Sequence, residues 1–420
     1  MLKELIHAAE HSRNFSLSEE QLVCLLKENN KLIKSIDLSE RYFQTGYYIG
    51  LSWIVQKQKA LYVVPKLNTE FEKIDYLKML SICFSHPEIL KHGDDLFEIQ
   101  FDQPAIKLKQ QEDLLTPLLI VYFLRLVHAI VKKGLKKGYY KIESNLYATI
   151  KGKVLVGNTL KQNTFKNRTL NTVCSHEEFG INNTENRIIK KALLFILRYL
   201  KMNQTSDKGL TPILNYILPA FENVNENISI NEVKKARHNP FFSEYSKGVD
   251  ISLIILKRFG FNLNFIKQNE EIDVPPFWIN MAKLYEMFVL GKLKQALGRN
   301  EIIFQSGANY GELDFLRTTK NKEMVIDAKY KPQYKTIPYE IEDIRQLSGY
   351  ARDIGTLRKL QIGKENWNKA VLDCLIIYPD QDANSDVDPN ELFKTSITQF
   401  EKFYKIGISI PVIKDVQKIK

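Results

Sequence analysis

The segment EMVIDAKYK at residues 323–331 limits the possible folds more than any other part of this 420-residue chain. Its centre is a short apolar run of the kind found in buried strands, yet it contains Asp327 and Lys329. Side chains alternate between the two faces of a strand, so both should point to one side while Ala328 points into the packing. The strand-like segment GELDFLRTT precedes it and carries Asp314, with the turn KNK between the two. We therefore predict a hairpin that brings Asp314 beside Asp327.

The segments around this hairpin follow an α/β order. The helix-like WINMAKLYEMFVLGKLKQAL comes before the strands, and the helix-like IEDIRQLSGYARDIG and the strand-like AVLDCLIIYP and YKIGISIPVI come after them. A helix, three strands, a second helix and further strands predict a mixed sheet flanked by helices. The proline-punctuated IDVPPFW at residues 272–278 is typical of a domain boundary, so we assign residues 266–420 to this α/β domain.

The residues before this domain are predicted to form a mixed α+β region. Residues 1–40 have the polar, amphipathic character of a helical extension. From Tyr42 onward, aromatic and β-branched residues predict a hairpin that turns near residues 56–59. Residues 41–265 continue with helices and short strands, including a long helix that begins at Asn182 or Asn183.

The most apolar stretch of the chain, at residues 114–131, reaches the length of a membrane span. It contains Pro117, Arg125 and His128, which a buried helix accommodates better than a lipid-exposed one. The start of the chain has no apolar core of signal-peptide length. We therefore expect a cytoplasmic protein without a membrane partner.

Two carboxylates and a lysine on one small sheet have a definite chemical use. Buried carboxylates repel each other and need a cation to neutralise them. Mg²⁺, or Mn²⁺ in its place, takes oxygen ligands and keeps several waters, so it can hold a phosphate oxygen and an attacking water together. Asp314 and Asp327 are the predicted ligands, with Glu286 or Glu312 as an additional candidate. Lys329 can orient the water, help its deprotonation, or offset charge that develops on the phosphate.

The pattern D-x12-D-x-K resembles the core of the PD-(D/E)xK endonucleases. Downstream, Gln346 and Tyr350 lie four residues apart and share one helix face, as in the QxxxY element of RecB-like members of that superfamily. The other acid-x-Lys triplet, at residues 232–234, has no comparable context. The alternative interpretation is a simple ion pair between Asp327 and Lys329. The combination of hairpin, triplet and QxxxY helix favours a nuclease site.

Beyond this core, the chain resembles the McrC family, the nuclease subunits of McrBC-type modification-dependent restriction systems. The resemblance rests on GYYIGLSWIVQKQKALYVVPK, YATIKGKVLVGNTLKQN, EEFGINNTENRIIKKAL, ELDF with VIDAKYK, and LIIYP, in this order. It implies a DNA endonuclease of type IV-like restriction that serves in phage defence. It also implies metal-ligand roles for Asp314 and Asp327, the catalytic lysine role for Lys329, and supporting roles for Gln346 and Tyr350.

The resemblance further implies a partner, an McrB-like AAA+ GTPase ring that recognises methylated double-stranded DNA and translocates it. Residues 41–265 would then form the region that docks onto the ring and stimulates its GTP hydrolysis. The chain itself has no GxxxxGK[ST] loop. We therefore predict no nucleotide-binding site in this chain and expect GTP to act only through the partner subunit.

Positive charge is concentrated in one window of the chain. Residues 121–170 supply nearly all of the formal net charge of +11, with eleven Lys or Arg against the single acid Glu143. Such a stripe is typical of a surface that binds a polyanion or an acidic partner. The candidates for contact with DNA or with the partner ring are Lys132, Lys133, Lys136, Lys137, Lys151 and Lys153. We favour the ring, because this window lies in the part that resembles the docking region.

Two other functions are compatible with the same sequence. One is a non-catalytic adaptor that activates the GTPase ring and only binds DNA through a nuclease-like fold. The presence of Asp314, Asp327 and Lys329 together argues against it, because an adaptor has no need of that trio. The other is a repair nuclease with a helicase partner, which the family-like segments before residue 200 disfavour.

Overall fold

The computed structural model of the chain describes most of its residues. The described residues are 4–27, 30–69, 71–84, 96–109, 115–202, 210–228, 243–260, 271–308, 311–320 and 322–414. They form a mixed α/β structure, as predicted.

The described strands belong to six sheets of two to five strands. In chain order they are β1 (Glu4–Ala9), β2 (Arg13–Asn14), β3 (Ile33–Asp37), β4 (Tyr42–Thr45), β5 (Tyr48–Val55), β6 (Lys59–Val64), β7 (Glu72–Ile74), β8 (Phe97–Ile99), β9 (Ile106–Lys109), β10 (Gly138–Tyr147), β11 (Lys153–Val154), β12 (Asn171–Gly180), β13 (Glu271–Val274), β14 (Phe277–Asn280), β15 (Ile302–Ala308), β16 (Gly311–Arg317), β17 (Met324–Ala328), β18 (Asp373–Pro379), β19 (Phe403–Ile408) and β20 (Val412–Lys414).

The described α-helices lie between these strands. They are α1 (Glu19–Lys27), α2 (Tyr76–Phe84), α3 (Leu115–Lys133), α4 (Val156–Gln162), α5 (Thr184–Met202), α6 (Thr211–Ile217), α7 (Ser243–Gly260), α8 (Met281–Leu297), α9 (Ile341–Arg352) and α10 (Ile354–Lys359). In the parts of the chain that the structure describes, no helix is both long and apolar enough to cross a membrane.

The chain separates into two compact units that differ from the predicted domains. Unit 1 comprises residues 1–118, 208–210 and 267–420, and unit 2 comprises residues 119–207 and 211–266. The N-terminal part of the chain therefore clusters with the predicted α/β domain.

The prediction of a helical extension at residues 1–40 is wrong for most of that segment. β1 is a strand that pairs in parallel with β6 at the edge of a five-stranded sheet ordered β1-β6-β5-β14-β8. β2 and β3 join β4 in a small antiparallel sheet, and α1 is the described α-helix of this segment. Local periodicity predicts a helix here, but pairing with strands far along the sequence decides the conformation.

The hairpin predicted from Tyr42 onward is confirmed by β5 and β6, which pair in antiparallel register around residues 56–58. β14 adds to the other side of β5, with Gly50 directly opposite Trp278. A Cβ atom at Gly50 would lie 2.2 Å from the carbonyl oxygen of Phe277, and Gly50 has a φ of +135°. Only glycine permits this close approach. The predicted boundary at IDVPPFW is therefore the point where the chain returns to the N-terminal sheet.

The second large sheet of unit 1 has the strand order β15-β16-β17-β18-β19. The first three strands are antiparallel, and β17, β18 and β19 run parallel. Helix α9 covers this sheet with an apolar face that includes Ile344 and Leu347, which pack into one cluster with Leu313 and Val325. The predicted helix–strand–strand–strand–helix–strand order is confirmed. β17 lies in the middle of the sheet, which explains its almost continuous apolar sequence.

Unit 2 is built from the sheet β10-β12-β11 and from helices that include α5 and α7. Of the two predicted caps of α5, Asn183 is the one observed, because its Oδ1 accepts a hydrogen bond from the backbone N–H of Asn186 at 3.0 Å. The Oδ1 of Asn182 instead accepts from the side chain of Arg187. The stretch at residues 114–131 falls largely in α3, whose apolar side chains are mostly buried.

Candidate active site

The β16–β17 hairpin determines where the two predicted carboxylates lie. Phe315 pairs with Ile326, so the same register continued by one residue sets Asp314 opposite Asp327. Asp314 Oδ2 accepts a hydrogen bond from the backbone N–H of Ala328 at 2.9 Å. Asp327 is buried, with 3% of its surface exposed. The hairpin thus brings Asp314 and Asp327 together at the end of the central strand.

Burial is unfavourable for the negative charges of these two carboxylates. Burial raises the pKa of Asp314 well above its ordinary value, and the neighbouring Asp327 and Glu286 raise it further. The hydrogen bond from Ala328 opposes this effect but is weaker. Two carboxylates in such a place are stable together only when a proton or a cation compensates their charge.

Lys329 supplies one positive charge beside this pair. Its Nζ lies 2.7 Å from Asp327 Oδ2, in an ion pair that is not an aligned hydrogen bond. Burial alone would lower the pKa of Lys329, but Asp327 and Asp343 outweigh burial and raise it. Lys329 is therefore an ammonium group at neutral pH. Its backbone N–H donates to the carbonyl of Ile377 on β18 at 2.9 Å, which anchors it to the sheet.

The two residues of the QxxxY element lie on the helix that faces this lysine. Lys329 Nζ donates to Gln346 Oε1 at 2.8 Å, and Gln346 Nε2 donates to the hydroxyl of Tyr350 at 3.2 Å. Both residues belong to α9, where a spacing of four places them on one face. The structure therefore brings Asp314, Asp327, Lys329, Gln346 and Tyr350 into one connected group.

Asp343 belongs to the same group and was not predicted. It lies on α9, one turn before Gln346, and its Oδ1 is 3.7 Å from Lys329 Nζ. Its Oδ2 accepts hydrogen bonds from Lys331 Nζ at 2.8 Å and from the hydroxyl of Tyr334 at 2.6 Å. A buried acid at the i−3 position from Gln346, on the apolar side of an amphipathic helix, is the sequence signal that could have identified it.

The pKa of Asp343 reflects these partners. Burial alone would raise it, but the hydrogen bonds from Lys331 and Tyr334 and the charge of Lys329 outweigh burial and lower the pKa of Asp343. Lys331 also forms a close ion pair with Glu340. Asp343 is consequently an ionised carboxylate placed between two lysines, and it restrains the position of both.

We predict that Asp343→Asn lowers any phosphodiester cleavage by this site about ten- to hundredfold, because the amide keeps the shape but leaves Lys329 and Lys331 without their shared counterion. The measurement is a single-turnover cleavage rate, with circular dichroism to show that the variant folds. Glu342→Gln, which neutralises an exposed acid next to it on the same helix, is the matched control and should have no effect. Equal rates for the two variants would contradict a positioning role for Asp343.

The two additional candidate ligands, Glu286 and Glu312, differ in how far they are exposed to solvent. Glu286 lies on α8 and pairs with Lys283 at 3.1 Å. Burial raises the pKa of Glu286, and the charges of Asp327 and Glu312 raise this pKa further. Glu286 is therefore close enough to both carboxylates to feel their charge. Glu312 is exposed. Within the described ranges, no three His, Cys, Asp or Glu side chains are arranged to hold a metal ion.

The donor set nevertheless fits Mg²⁺. This ion commonly uses one or two protein carboxylates and fills its remaining positions with water and phosphate oxygens. Asp314 and Asp327 supply two oxygen donors at a buried place where burial and mutual repulsion call for a cation. These two residues are therefore the side chains that would hold such an ion.

The six lysines of unit 2 that were predicted to contact DNA or the partner ring are not all exposed. Lys132, Lys133, Lys137, Lys151 and Lys153 are exposed. Lys136 is largely buried, and its Nζ forms an ion pair with Glu185 on α5 at 2.7 Å. The backbone carbonyl of Lys136 also accepts from Asn183 and Asn186. Lys136 is therefore less available to DNA or to a partner than the exposed lysines, because its ammonium group is paired with Glu185.

The β10-β12-β11 part of unit 2 exposes several large apolar side chains. Tyr139 and Phe179 face each other across β10 and β12, with ring centroids 5.1 Å apart, and are 74% and 61% exposed. Further exposed residues lie toward the other end of this sheet and on the segment between its strands, namely Tyr147, Ile150, Val156, Leu160, Phe165 and Leu170. Exposed apolar groups of this size and number mark interaction surfaces.

A mixed sheet with two carboxylates and a lysine at the end of its central strand defines a protein with a candidate hydrolytic site. Comparison with known proteins makes this more specific. The family model described as McrBC 5-methylcytosine restriction system component matches residues 43–359. This is more than half of the chain, and the chain therefore belongs to that family, as the sequence resemblance predicted. It is a restriction-system subunit.

Two solved structures show a more distant similarity. A half-complex from a tetradecameric assembly of Thermococcus gammatolerans McrB AAA+ hexamers with bound McrC has a TM-score of 0.36 and 15% identity, covering 96% of this chain and 94% of that one. The cryo-EM structure of the Thermococcus gammatolerans McrBC complex has a TM-score of 0.26 and 15% identity, covering 69% and 87%. No sequence among the curated proteins matches this chain.

Proposed function

We propose that this chain is the Mg²⁺-dependent DNA endonuclease subunit of its restriction system. The observation that carries the proposal is the convergence of Asp314, Asp327 and Lys329 at one end of β17, with Gln346 and Asp343 around the lysine. A simple structural ion pair between Asp327 and Lys329 does not need a second carboxylate beside it. A phosphodiesterase site needs both kinds of charge, because it must bind a cation and stabilise an anionic transition state.

The reaction is hydrolysis of a DNA phosphodiester. The oxygen of a water molecule forms a bond to phosphorus as the water loses a proton, and the bond from phosphorus to the 3′-oxygen breaks. The 3′-oxygen takes up a proton, and the products are a 5′-phosphate and a 3′-hydroxyl. Asp314 and Asp327 would hold Mg²⁺, or Mn²⁺ in its place, and this ion would supply Lewis-acid activation of the phosphate and the water. Lys329 donates hydrogen bonds to the attacking water or to the phosphate oxygens that gain charge. Gln346 and Asp343 hold the ammonium group of Lys329 in position.

The partner we propose is an AAA+ GTPase ring that delivers modified DNA in the cytoplasm. The family description includes 5-methylcytosine restriction, and one of the similar solved structures is described as McrB AAA+ hexamers with bound McrC. In this chain, the exposed aromatic and basic residues of unit 2 support a docking surface for such a ring. The GTP requirement would then belong to the ring.

The experiment that tests the function is plasmid cleavage by the chain together with its AAA+ GTPase partner, GTP and Mg²⁺. We expect linear products from a plasmid with 5-methylcytosine, and no products when Mg²⁺ is chelated or GTP is omitted. The chain without its partner should cut poorly. A complex that assembles and hydrolyses GTP but leaves the plasmid intact would instead support the non-catalytic adaptor.

A further inference from the structure

A buried cluster connects the first strand of the chain to the residue that follows Lys329. Glu10 comes directly after β1 and is 4% exposed. Its Oε2 accepts hydrogen bonds from the backbone N–H of Lys66 at 3.0 Å and from the hydroxyl of Tyr330 at 3.2 Å. Tyr330 is equally buried. Two residues that are 320 positions apart in the sequence thus meet at one carboxylate within unit 1.

Lys66 restrains the same tyrosine a second time. Its Nζ donates to the backbone carbonyl of Tyr330 at 2.9 Å and lies 4.4 Å from the centre of the Tyr330 ring. Tyr330 is therefore held at its hydroxyl, its ring and its main chain by residues of the N-terminal sheet. Such a triple restraint determines both the backbone path and the rotamer at this position.

The consequence for Lys329 follows from its position next to Tyr330 in the chain. The backbone N–H of Lys331 donates to the carbonyl of Lys329 at 2.6 Å, so a tight three-residue turn is centred on Tyr330. The Tyr330 hydroxyl contacts Glu10, while the ammonium group of Lys329 contacts Asp327. Lys329 is anchored through its own N–H to Ile377, and the next peptide unit is anchored through Tyr330 to Lys66. The direction in which Lys329 enters the site thus depends on both anchors.

The Glu10 carboxyl is costly to bury, which argues against a purely structural role. Burial raises the pKa of Glu10 to about 7, against the opposing effects of Lys66 and the Tyr330 hydroxyl. Among the described residues, its Oε1 has no hydrogen-bond partner, and neither does the neighbouring Tyr76 hydroxyl. Groups that reduce stability in this way are common where function requires them.

We propose that Glu10, acting with Lys66 through Tyr330, is a positioning residue that aligns Lys329 for phosphodiester cleavage. The N-terminal segment before residue 43, which the family match does not include, is by this inference part of the working nuclease. The inference rests on the proposed function.

The test compares Glu10→Ala, Glu10→Gln and Tyr330→Phe in the complete complex with its ring partner. Glu10→Ala and Tyr330→Phe should each lower kcat for cleavage about tenfold with KM for DNA unchanged, because the lysine is misdirected and DNA binding is not affected. The double variant should be no worse than either single one. Glu10→Gln should restore most of the rate, since an amide oxygen accepts the same two hydrogen bonds.

Thr45→Val is the matched control. Thr45 is buried in the same N-terminal part, and its hydroxyl donates to the carbonyl of Ala9 at 2.6 Å. The variant loses the hydrogen bonds of this hydroxyl to the carbonyl of Ala9 and from the backbone N–H of Ser12. It changes no group that contacts Tyr330, so it should lower thermal stability while kcat stays unchanged. A kcat for Glu10→Ala equal to that of Thr45→Val would overturn the inference.

A second measurement does not depend on nuclease activity. Amide hydrogen exchange of residues 327–331 in the isolated chain should become about tenfold faster in Glu10→Ala and stay at the wild-type rate in Thr45→Val. Unchanged exchange in Glu10→Ala would overturn the inference even if the complex cleaves DNA. Faster exchange would support the inference even if the proposed cleavage were not found. Failure of the inference can therefore be distinguished from failure of the proposed function.

Discussion

Asp327→Asn and Lys329→Ala are each expected to lower DNA cleavage by about a thousandfold while the chain still folds and still binds its ring partner. Asn has the shape of Asp but removes the charge that a metal ligand at this position needs. Alanine at residue 329 removes the only cation that lies within 3 Å of Asp327 in the described part of the chain. The measurement is a plasmid-cleavage time course with partner, GTP and Mg²⁺.

The control for this prediction is on the same hairpin. Lys322 lies in the turn between β16 and β17 and is exposed, so Lys322→Ala removes an equal charge away from the carboxylates and should cut at the wild-type rate. GTPase stimulation by each variant reports on assembly. Full cleavage by either Asp327→Asn or Lys329→Ala would remove that residue from the site.

The second large effect concerns the basic surface of unit 2. We expect the triple variant Lys132→Glu, Lys133→Glu and Lys137→Glu to weaken ring assembly and GTPase stimulation by at least about thirtyfold, because reversed charges would face an acidic partner surface. Direct DNA binding by the chain should change little. Assembly is measured by size-exclusion chromatography with light scattering, and DNA affinity by fluorescence anisotropy at several salt concentrations.

Lys136 must be left unchanged in this experiment. Its ammonium group pairs with Glu185 at 2.7 Å, so Lys136→Glu would set two acids together in a mostly buried place and destabilise unit 2. Lys136→Glu is thus the control for loss of assembly through unfolding. If DNA contact were the function of this surface, the triple variant would lose DNA affinity and the salt dependence of binding would become shallower. Unchanged assembly with lost DNA binding would contradict our preference.

The sequence alone was sufficient for the features that depend on neighbouring residues. The β16–β17 hairpin, the alternation that separates Ala328 from Asp327 and Lys329, and the four-residue spacing of Gln346 and Tyr350 all follow from the periods of strands and helices. The order of segments after residue 280 likewise predicted a mixed sheet flanked by helices. The family resemblance was also visible in local segments, and the family match over residues 43–359 confirms it.

Only the tertiary structure decided which distant segments meet. β1 has no local signal that distinguishes it from a helix, and it is a strand because β6 offers it a parallel partner more than fifty residues away. β14 returns to β5 across Gly50, so the predicted domain boundary became part of the N-terminal sheet. Strand pairing of this kind depends on contacts that no sequence period records.

The roles of the charged groups also depend on contacts between distant segments. Asp343 between two lysines, Lys136 beside Glu185 and Glu10 beneath Tyr330 are each defined by a partner from another element. Whether a charged side chain is a solvated surface group or a buried functional one depends on burial and on that partner, because both set the cost of its charge. Composition and spacing identify the residues that can carry chemistry, and packing determines which of them do.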